Sequence, residues 1–518
     1  MVSVRNVSYK IDKNIALNRE VTMYEDLCNA YQATDLPSVQ LGGIVIEDKL
    51  VNNAPVYLVL KSFNRHGLIA GATGSGKTKT MQVLCEQLSL LGVPSLVMDI
   101  KGDISGLAEA GEINATLLER AKSLNLAYTP RGFPVELLTL NEASEEGVPL
   151  RSKVSDFGAV LFSRMLDINQ TQSGVVTILF EYAKEKNLPL SDLASLKALL
   201  QFAQSEEGKA EIESRFGAVS TASVGAILRK LIELEAEGAN HFFGEPAFEV
   251  SDLLKTNADN LGIISILRLM DMQDKPKLFS TFMLKLLSDI YRLMPELGDP
   301  PKPRLVLFID EAHLIFRNAS KALLSLLDIM VKLIRSKGVS LIFCTQTSND
   351  IPESVLSQLG LKIQHALRAF TAKDRKAMKL VAQNFPFSHY YNTEQLLTSL
   401  GIGDALVSGL DAEGQPTPLI ECRIRAPESR MGVLSPQEIT TLVANSSLML
   451  RYGKRTKTAA LEDFLTTKRQ HEIPKKSKER DENMVETLSK NTLVRQIIRQ
   501  VMRDLMRTVL NALGIKRR

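Results

Sequence analysis

No stretch of the 518-residue chain approaches the roughly 18 consecutive apolar residues that a membrane-spanning helix needs, so no integral membrane segment is expected. The opening residues, MVSVRNVSYKIDKN, have neither an apolar core nor a small-residue cleavage site, which argues against a secretory signal. Cysteine is scarce. Cys28, Cys85, Cys344 and Cys422 lie far apart with no CxxC pair, the pattern of reduced, buried residues in a cytoplasmic protein rather than of zinc ligands or disulfides. The six histidines show no metal-ligand spacing, no internal repeat is present, and no Asn-Lys-x-Asp segment exists to read a guanine base.

What is present is ordinary for a globular chain: 44% hydrophobic and 24% charged residues. The length allows two to four folding units, or one enlarged α/β domain with insertions. A net charge of +4 hides an asymmetry. Residues 451–518 hold 18 Lys and Arg against 8 Asp and Glu, which leaves 45 basic and 51 acidic residues in the first 450. The basic character therefore belongs to the tail, and overall pI says nothing about nucleic acid.

Residues 1–60 alternate short β-like runs, such as LGGIVIEDKL and APVYLVL, with turn residues, and predict a small β-rich N-terminal element. From His66 the pattern becomes strand, Gly-rich loop, helix and the strand SLVMDI, a βαβ unit. Residues 151–260 carry apolar residues at helical spacing, with Ser191 and Ser220 as N-caps and Gly238 as a stop, and read as a helical insertion. Strands then resume in GIISILRL, RLVLFID, VSLIFCTQ and LKIQHALR, and ALVSGLDAEGQPTPLIECRI reads as a hairpin turning at Asp411–Gly414. Residues 431–486 are assigned to a charged linker region and 487–518 to a basic amphipathic helix. In that helix Arg495, Arg499, Arg503 and Arg507 recur every four residues opposite an apolar face, a pattern suited to packing, to a DNA-phosphate contact or to an anionic membrane surface.

The segment GATGSGKT, which comprises Gly71, Ala72, Thr73, Gly74, Ser75, Gly76, Lys77 and Thr78, matches the P-loop pattern completely. Glycines there let backbone N–H groups turn inward around phosphate oxygens, and the following helix N-terminus adds partial positive charge. Lys77 then reaches the β/γ-phosphates and the Thr78 hydroxyl coordinates Mg²⁺. The segment LVLFIDEAH describes a buried strand that delivers Asp310 and Glu311 to its carboxyl end, Asp310 to hold Mg²⁺ and Glu311 to polarise the attacking water. Gln346, at the end of VSLIFCTQ, is a candidate sensor of the γ-phosphate. Arg368, after LKIQHALR, is a candidate arginine supplied to a neighbouring subunit, with Arg335 as its competitor. VMDIKGD presents Asp99, Lys101 and Asp103 after the second strand; Asp99 is expected to support the nucleotide site, a subunit contact or only the local structure.

Taken with GVSLIFCTQTSNDIPESVLSQLGLKIQHALRAFTAKD and GIGDALV, these motifs resemble the HerA–FtsK superfamily, most of all its HerA-like helicase branch, over roughly residues 40–430. The resemblance implies an α/β, RecA-like P-loop core with a mostly parallel sheet, its two halves at 61–150 and 261–430. It also implies ATP and Mg²⁺ as cofactors, homohexameric rings and translocation on duplex DNA. By position, Lys77 and Thr78 become Walker A, Asp310 and Glu311 Walker B, Gln346 the sensor and Arg368 the candidate arginine finger. The N-terminal element is shorter than the β-barrel of HerA proteins that process DNA ends, and the insertion is long, which sets the chain apart from nuclease-coupled members. A ring motor acting on an unidentified protein partner and an ATP-binding assembly switch are the alternative readings. An intact Glu311 argues against the switch, which needs no water-activating carboxylate.

Overall fold

The structure, a computed structural model, describes residues 24–456 other than 271, 273 and 370. The expected basic helix at 487–518 and the 457–486 part of the expected linker lie outside the described residues. Among the described residues twelve strands form one sheet: β1 (Ser38–Ile46), β2 (Lys49–Val59), β3 (Gly67–Ala70), β4 (Ser95–Asp99), β5 (Val135–Thr139), β6 (Val148–Pro149), β7 (Ile264–Arg268), β8 (Leu305–Ile309), β9 (Val339–Thr345), β10 (Leu361–His365), β11 (Asp404–Ser408) and β12 (Ile420–Ile424). Their order is β2-β1-β12-β11-β10-β3-β9-β8-β4-β7-β5-β6. From β10 to β6 every pairing is parallel, and from β10 back to β2 every pairing is antiparallel.

Every residue of LVLFI in β8 and of VSLIFCT in β9 is buried, as a parallel strand covered on both faces requires. Each large apolar side chain so enclosed contributes about 1.5–3 kcal/mol relative to exposure. The hairpin expected at Asp411–Gly414 is present: Asp411 Oδ1 accepts from Gln415 N at 2.7 Å, and Gly414 adopts φ 83°.

Three expectations need correction. The N-terminal strands are not a separate element, because β1 pairs antiparallel with β12 and so extends the main sheet. At that seam a Cβ on Gly42 would lie 1.9 Å from the Arg423 carbonyl oxygen, so only glycine lets the two strands approach. Part of the expected linker is folded, since Ser435 and Glu438 form a capping box that starts one of two helices burying Ile439, Val443, Leu448 and Tyr452. Ser191 is not an N-cap. Asp192, one residue later, accepts from Ser195 N at 2.8 Å, and the Ser191 hydroxyl donates instead to Glu245 Oε1 at 3.0 Å. β5 and β6 also join the sheet without having been anticipated.

Counting helices longer than one turn, the chain forms α1 (Glu25–Tyr31), α2 (Lys77–Leu90), α3 (Ala115–Ser123), α4 (Val154–Met165), α5 (Gln170–Glu185), α6 (Leu193–Phe202), α7 (Glu206–Phe216), α8 (Thr221–Ala236), α9 (Pro276–Leu293), α10 (Ala312–Asn318), α11 (Lys321–Leu333), α12 (Ala372–Gln383), α13 (Thr393–Ser399), α14 (Pro436–Ala444) and α15 (Ser447–Tyr452). Helices α4–α8 fall between β6 and β7. The Ser220 hydroxyl accepts from Ser223 N to start α8, and left-handed Gly238 follows its end. Aromatic contacts join this helical layer to α9, with Phe242 and Phe282 ring centroids 6.2 Å apart. No helix among the described residues is long and apolar enough to cross a membrane.

His66 locks the turn into β3. Leu341 N donates to its Nδ1 at 3.0 Å, so Nε2 carries the proton and donates to the Val331 carbonyl at 2.8 Å. Burial holds the ring neutral, with its pKa lowered from 6.5 to about 4. Below pH 6.5 the unfolded chain therefore binds a proton that the folded chain refuses. Stability from this residue is complete above pH 6.5 and is lost as pH falls toward 4. His66→Gln should make unfolding free energy, measured by urea titration, shallower by about 1.4 kcal/mol per pH unit across that window. Identical slopes for variant and parent would refute the assignment.

Candidate active site

Parallel pairing brings the carboxyl ends of β10, β3, β9, β8 and β4 to one edge. Ala70 is level with Thr345 and Gln364, and Ile309 with Phe343 and Met98. The loop of Gly71–Thr78, the pair Asp310-Glu311, Gln346 and the turn after Asp99 must therefore emerge side by side.

The loop after β3 needs its glycines. Gly76, at φ 117°, is the N-cap of α2 and has no side chain to satisfy the first-turn N–H groups. Those donors and the helix dipole face whatever lies in the loop, an arrangement that favours an anion. A Cβ on Gly71 would lie 2.6 Å from His365 Cβ. Lys77 is buried, and its Nζ donates to the carbonyl oxygens of Gly71 at 2.6 Å and Ala72 at 3.1 Å. Burial and the nearby Lys101 ammonium lower its pKa, against the opposing pull of Glu311 and Asp310.

Asp310 and Glu311 are buried at the end of β8. Burial raises the Asp310 pKa to about 6; Glu311 and Asp103 add to the rise, and Lys101 opposes it. Glu311 adopts a left-handed φ of 45°, an uncommon conformation for a non-glycine residue. One of its oxygens is ion-paired with Lys101 Nζ, and the other lies 3.0 Å from His313 Nδ1.

VMDIKGD completes the site. Asp99 Oδ1 accepts from Gly102 N at 2.7 Å and Gly102 takes φ 76°, so Asp99 shapes the turn that presents Lys101 and Asp103. The Thr78 hydroxyl donates to Asp103 Oδ2 at 3.3 Å. Asp103 Oδ1 and Asp310 Oδ2 are buried without a hydrogen-bond partner among the described residues. Orphaned carboxylate oxygens beside a threonine hydroxyl suit a hard divalent cation.

The structure thus gathers Lys77, Thr78, Asp310 and Glu311. Gln346 and Arg368 are exposed at the same edge, and among the described residues neither bonds to that group. Arg335 precedes β9, at the opposite edge, where it donates to Asp299 Oδ1 at 3.0 Å. Three contacts had no sequence signature: Lys101–Glu311, Asp103–Thr78 and His313–Glu311. The doubled Asp-x-x-Gly of DIKGDISG marked the turn that makes two of them. His365 is a satisfied structural group: Nδ1 donates to Asp404 O at 3.0 Å, and Nε2 accepts from the Thr80 hydroxyl at 2.8 Å. GIGDALV also reaches the loop, with Gly403 N donating to Ser75 O at 3.0 Å.

Residues 45–480 match the sequence family described as helicase HerA-like C-terminal. The chain is similar to the DNA double-strand break repair helicase HerA of Saccharolobus solfataricus, 26% identical over 373 residues that span 71% of this chain and 67% of that protein. Among solved structures it is similar to the plasmid coupling protein TrwB in complex with the non-hydrolysable ATP analogue ADPNP, at 16% identity and a TM-score of 0.50, covering 79% of this chain and 95% of that one. TrwB in complex with ADP and Mg²⁺ gives 16% identity and a TM-score of 0.50, covering 79% of this chain and 94% of that one. At this identity the likeness concerns the fold, a RecA-like P-loop core with a mostly parallel sheet, as expected from the sequence.

Lys101 faces Asp103, Asp310 and Glu311, and is the ammonium that balances them beside Lys77. Lys101→Met should therefore make the nucleotide-free protein more responsive to divalent cations. Millimolar Mg²⁺ or Ca²⁺ alone should raise Tm more in the variant than in the parent. Equal shifts would show that Lys101 does not compensate these carboxylates.

Proposed function

The chain belongs to the HerA-like C-terminal helicase family, and we propose that it is an ATPase working as a homohexameric ring that couples Mg·ATP hydrolysis to movement along duplex DNA. The observation that carries this reading is the meeting, at one sheet edge, of a glycine loop holding buried Lys77 with the buried carboxylates Asp310 and Glu311. DNA as the substrate draws support from the relative described as a DNA double-strand break repair helicase. ATP and Mg²⁺ draw support from the TrwB complexes with ADPNP and with ADP and Mg²⁺.

The residues present fit both groups. Thr78 and the orphaned Asp310 oxygen would hold the cation, and the loop N–H groups with Lys77 would hold the phosphates. When bound, ATP supplies the transferable phosphoryl group and Mg²⁺ neutralises its charge. Lys77 exchanges the Gly71 and Ala72 carbonyl oxygens for phosphate oxygens. Glu311 leaves Lys101, orients the attacking water and accepts its proton. Gln346 reports loss of the γ-phosphate toward the DNA-binding surface, and Arg368 completes the site of the adjacent subunit.

Lys77→Ala should abolish nucleotide binding or turnover. Glu311→Gln should retain ATP while lowering kcat about 10²- to 10⁴-fold, the usual loss on removing a general base. Duplex DNA should stimulate the parent, more strongly at low salt than at high salt. Intact hydrolysis with no stimulation at any salt would overturn the DNA assignment in favour of a motor acting on protein.

A shared site also predicts complementation. Mixing inactive Lys77→Ala subunits with Arg368→Ala subunits should restore part of the ATPase rate at mixed interfaces. A fully active monomer would refute the composite site.

A further inference from the structure

Helix α12 begins seven residues beyond β10's carboxyl end and runs back to its amino end, where Lys362 Nζ donates to the Asn384 carbonyl at 2.9 Å. Four of its residues, Lys373, Arg375, Lys376 and Lys379, are exposed. Among the described residues none of the four makes an ion pair or a side-chain hydrogen bond. The helix's one acid, Asp374, is occupied by the capping box with Thr371. A solvated face of a helix ordinarily mixes both signs, so four uncompensated cations on twelve residues need a reason.

The far end of α12 opens onto a groove of about 470 Å³ on the edge of the sheet opposite the loop of Gly71–Thr78. Arg65, Lys332, Arg335 and Lys362 line this groove, and no Asp or Glu does. Lys332 is satisfied by Asp328 and Arg335 by Asp299. The Arg65 guanidinium has no hydrogen-bond or ion-pair partner among the described residues, and Lys362 has only a carbonyl. This concentration of positive charge stands in a body whose first 450 residues are acidic in sum.

We propose that α12 and the groove at its end form a track on which the phosphate backbone of duplex DNA lies. The assignment rests on the DNA reading above and adds the surface that would carry it. Twelve helical residues span about 18 Å, over which one DNA strand presents about five phosphates. Lys373, Arg375, Lys376 and Lys379, followed by Lys362 and Arg65, match that run in sign and extent. Such contacts position the duplex without reading its sequence, as a motor that moves over any sequence requires.

The test is binding of the full chain to a fluorescent duplex over a range of salt concentrations. The parent is compared with a variant carrying Lys373→Ala, Arg375→Ala, Lys376→Ala and Lys379→Ala. These side chains are exposed, and unchanged ATP affinity would report an intact fold. The variant should bind at least about tenfold more weakly at low salt, and its slope of log affinity against log salt should fall by about 2 to 4. The tail's own cations remain, so the loss is partial. Equal affinity and slope in parent and variant would overturn the track while leaving the DNA reading standing. A parent that binds no duplex at any salt would overturn both. Polyglutamate that displaces nothing at equal charge supports a phosphate track, whereas polyglutamate as effective as unlabelled duplex points to an acidic protein partner and against DNA.

Discussion

Parallel pairing of β3, β9, β8 and β4 is the constraint from which the site follows. Strands aligned in one direction must all release their chains at the same edge, and the register sets which residues emerge together. Because Ala70 is level with Thr345, and Ile309 with both Phe343 and Met98, the glycine loop, the two carboxylates and the turn after Asp99 share one rim. The buried, largely apolar sequences of β8 and β9 hold that register, since such strands have little tolerance for a slip.

Charge balance is the second layer. Two lysines, Lys77 and Lys101, face three acids, Asp103, Asp310 and Glu311, in a largely buried space. Burial raises the Asp310 pKa to about 6, and the neighbouring carboxylates of Glu311 and Asp103 add to the rise while Lys101 opposes it. The oxygens left without partners make the arrangement receptive to another cation. Lys101 meanwhile occupies one oxygen of Glu311, the carboxylate proposed above to activate water.

The antiparallel side of the sheet braces the loop from behind. Gly403, just before β11, donates to Ser75 O, while Arg120 binds both the Gly403 carbonyl at 2.7 Å and the Asp404 carboxylate. His365 ties β10 to α2 through Thr80 and to β11 through the Asp404 carbonyl. These bonds tie the helix after the glycine loop to β10 and β11.

Much of this was legible in the sequence, because some signals are local. A P-loop is a run of backbone conformations that only glycines accept, and an apolar strand ending in Asp-Glu states both its burial and its cargo. Strand alternation, the hairpin turn at Asp411–Gly414 and the helical texture of 154–236 are likewise periodicities carried by neighbouring residues. Other features depended on residues remote in the chain. Nothing near Ser38–Ile46 says that this strand pairs with β12, nothing near Lys101 names Glu311 as its partner, and nothing near Arg335 or Arg368 says that the sheet puts them on opposite edges. Asp192 rather than Ser191 caps its helix, and the Ser191 hydroxyl donates to Glu245, a partner remote in the chain. Sequence by itself determined the chemistry the chain carries, since reactive groups and turn residues are properties of single positions. Tertiary structure alone decided which of those groups meet, because the contacts cross hundreds of residues and are set by the order and direction of strands.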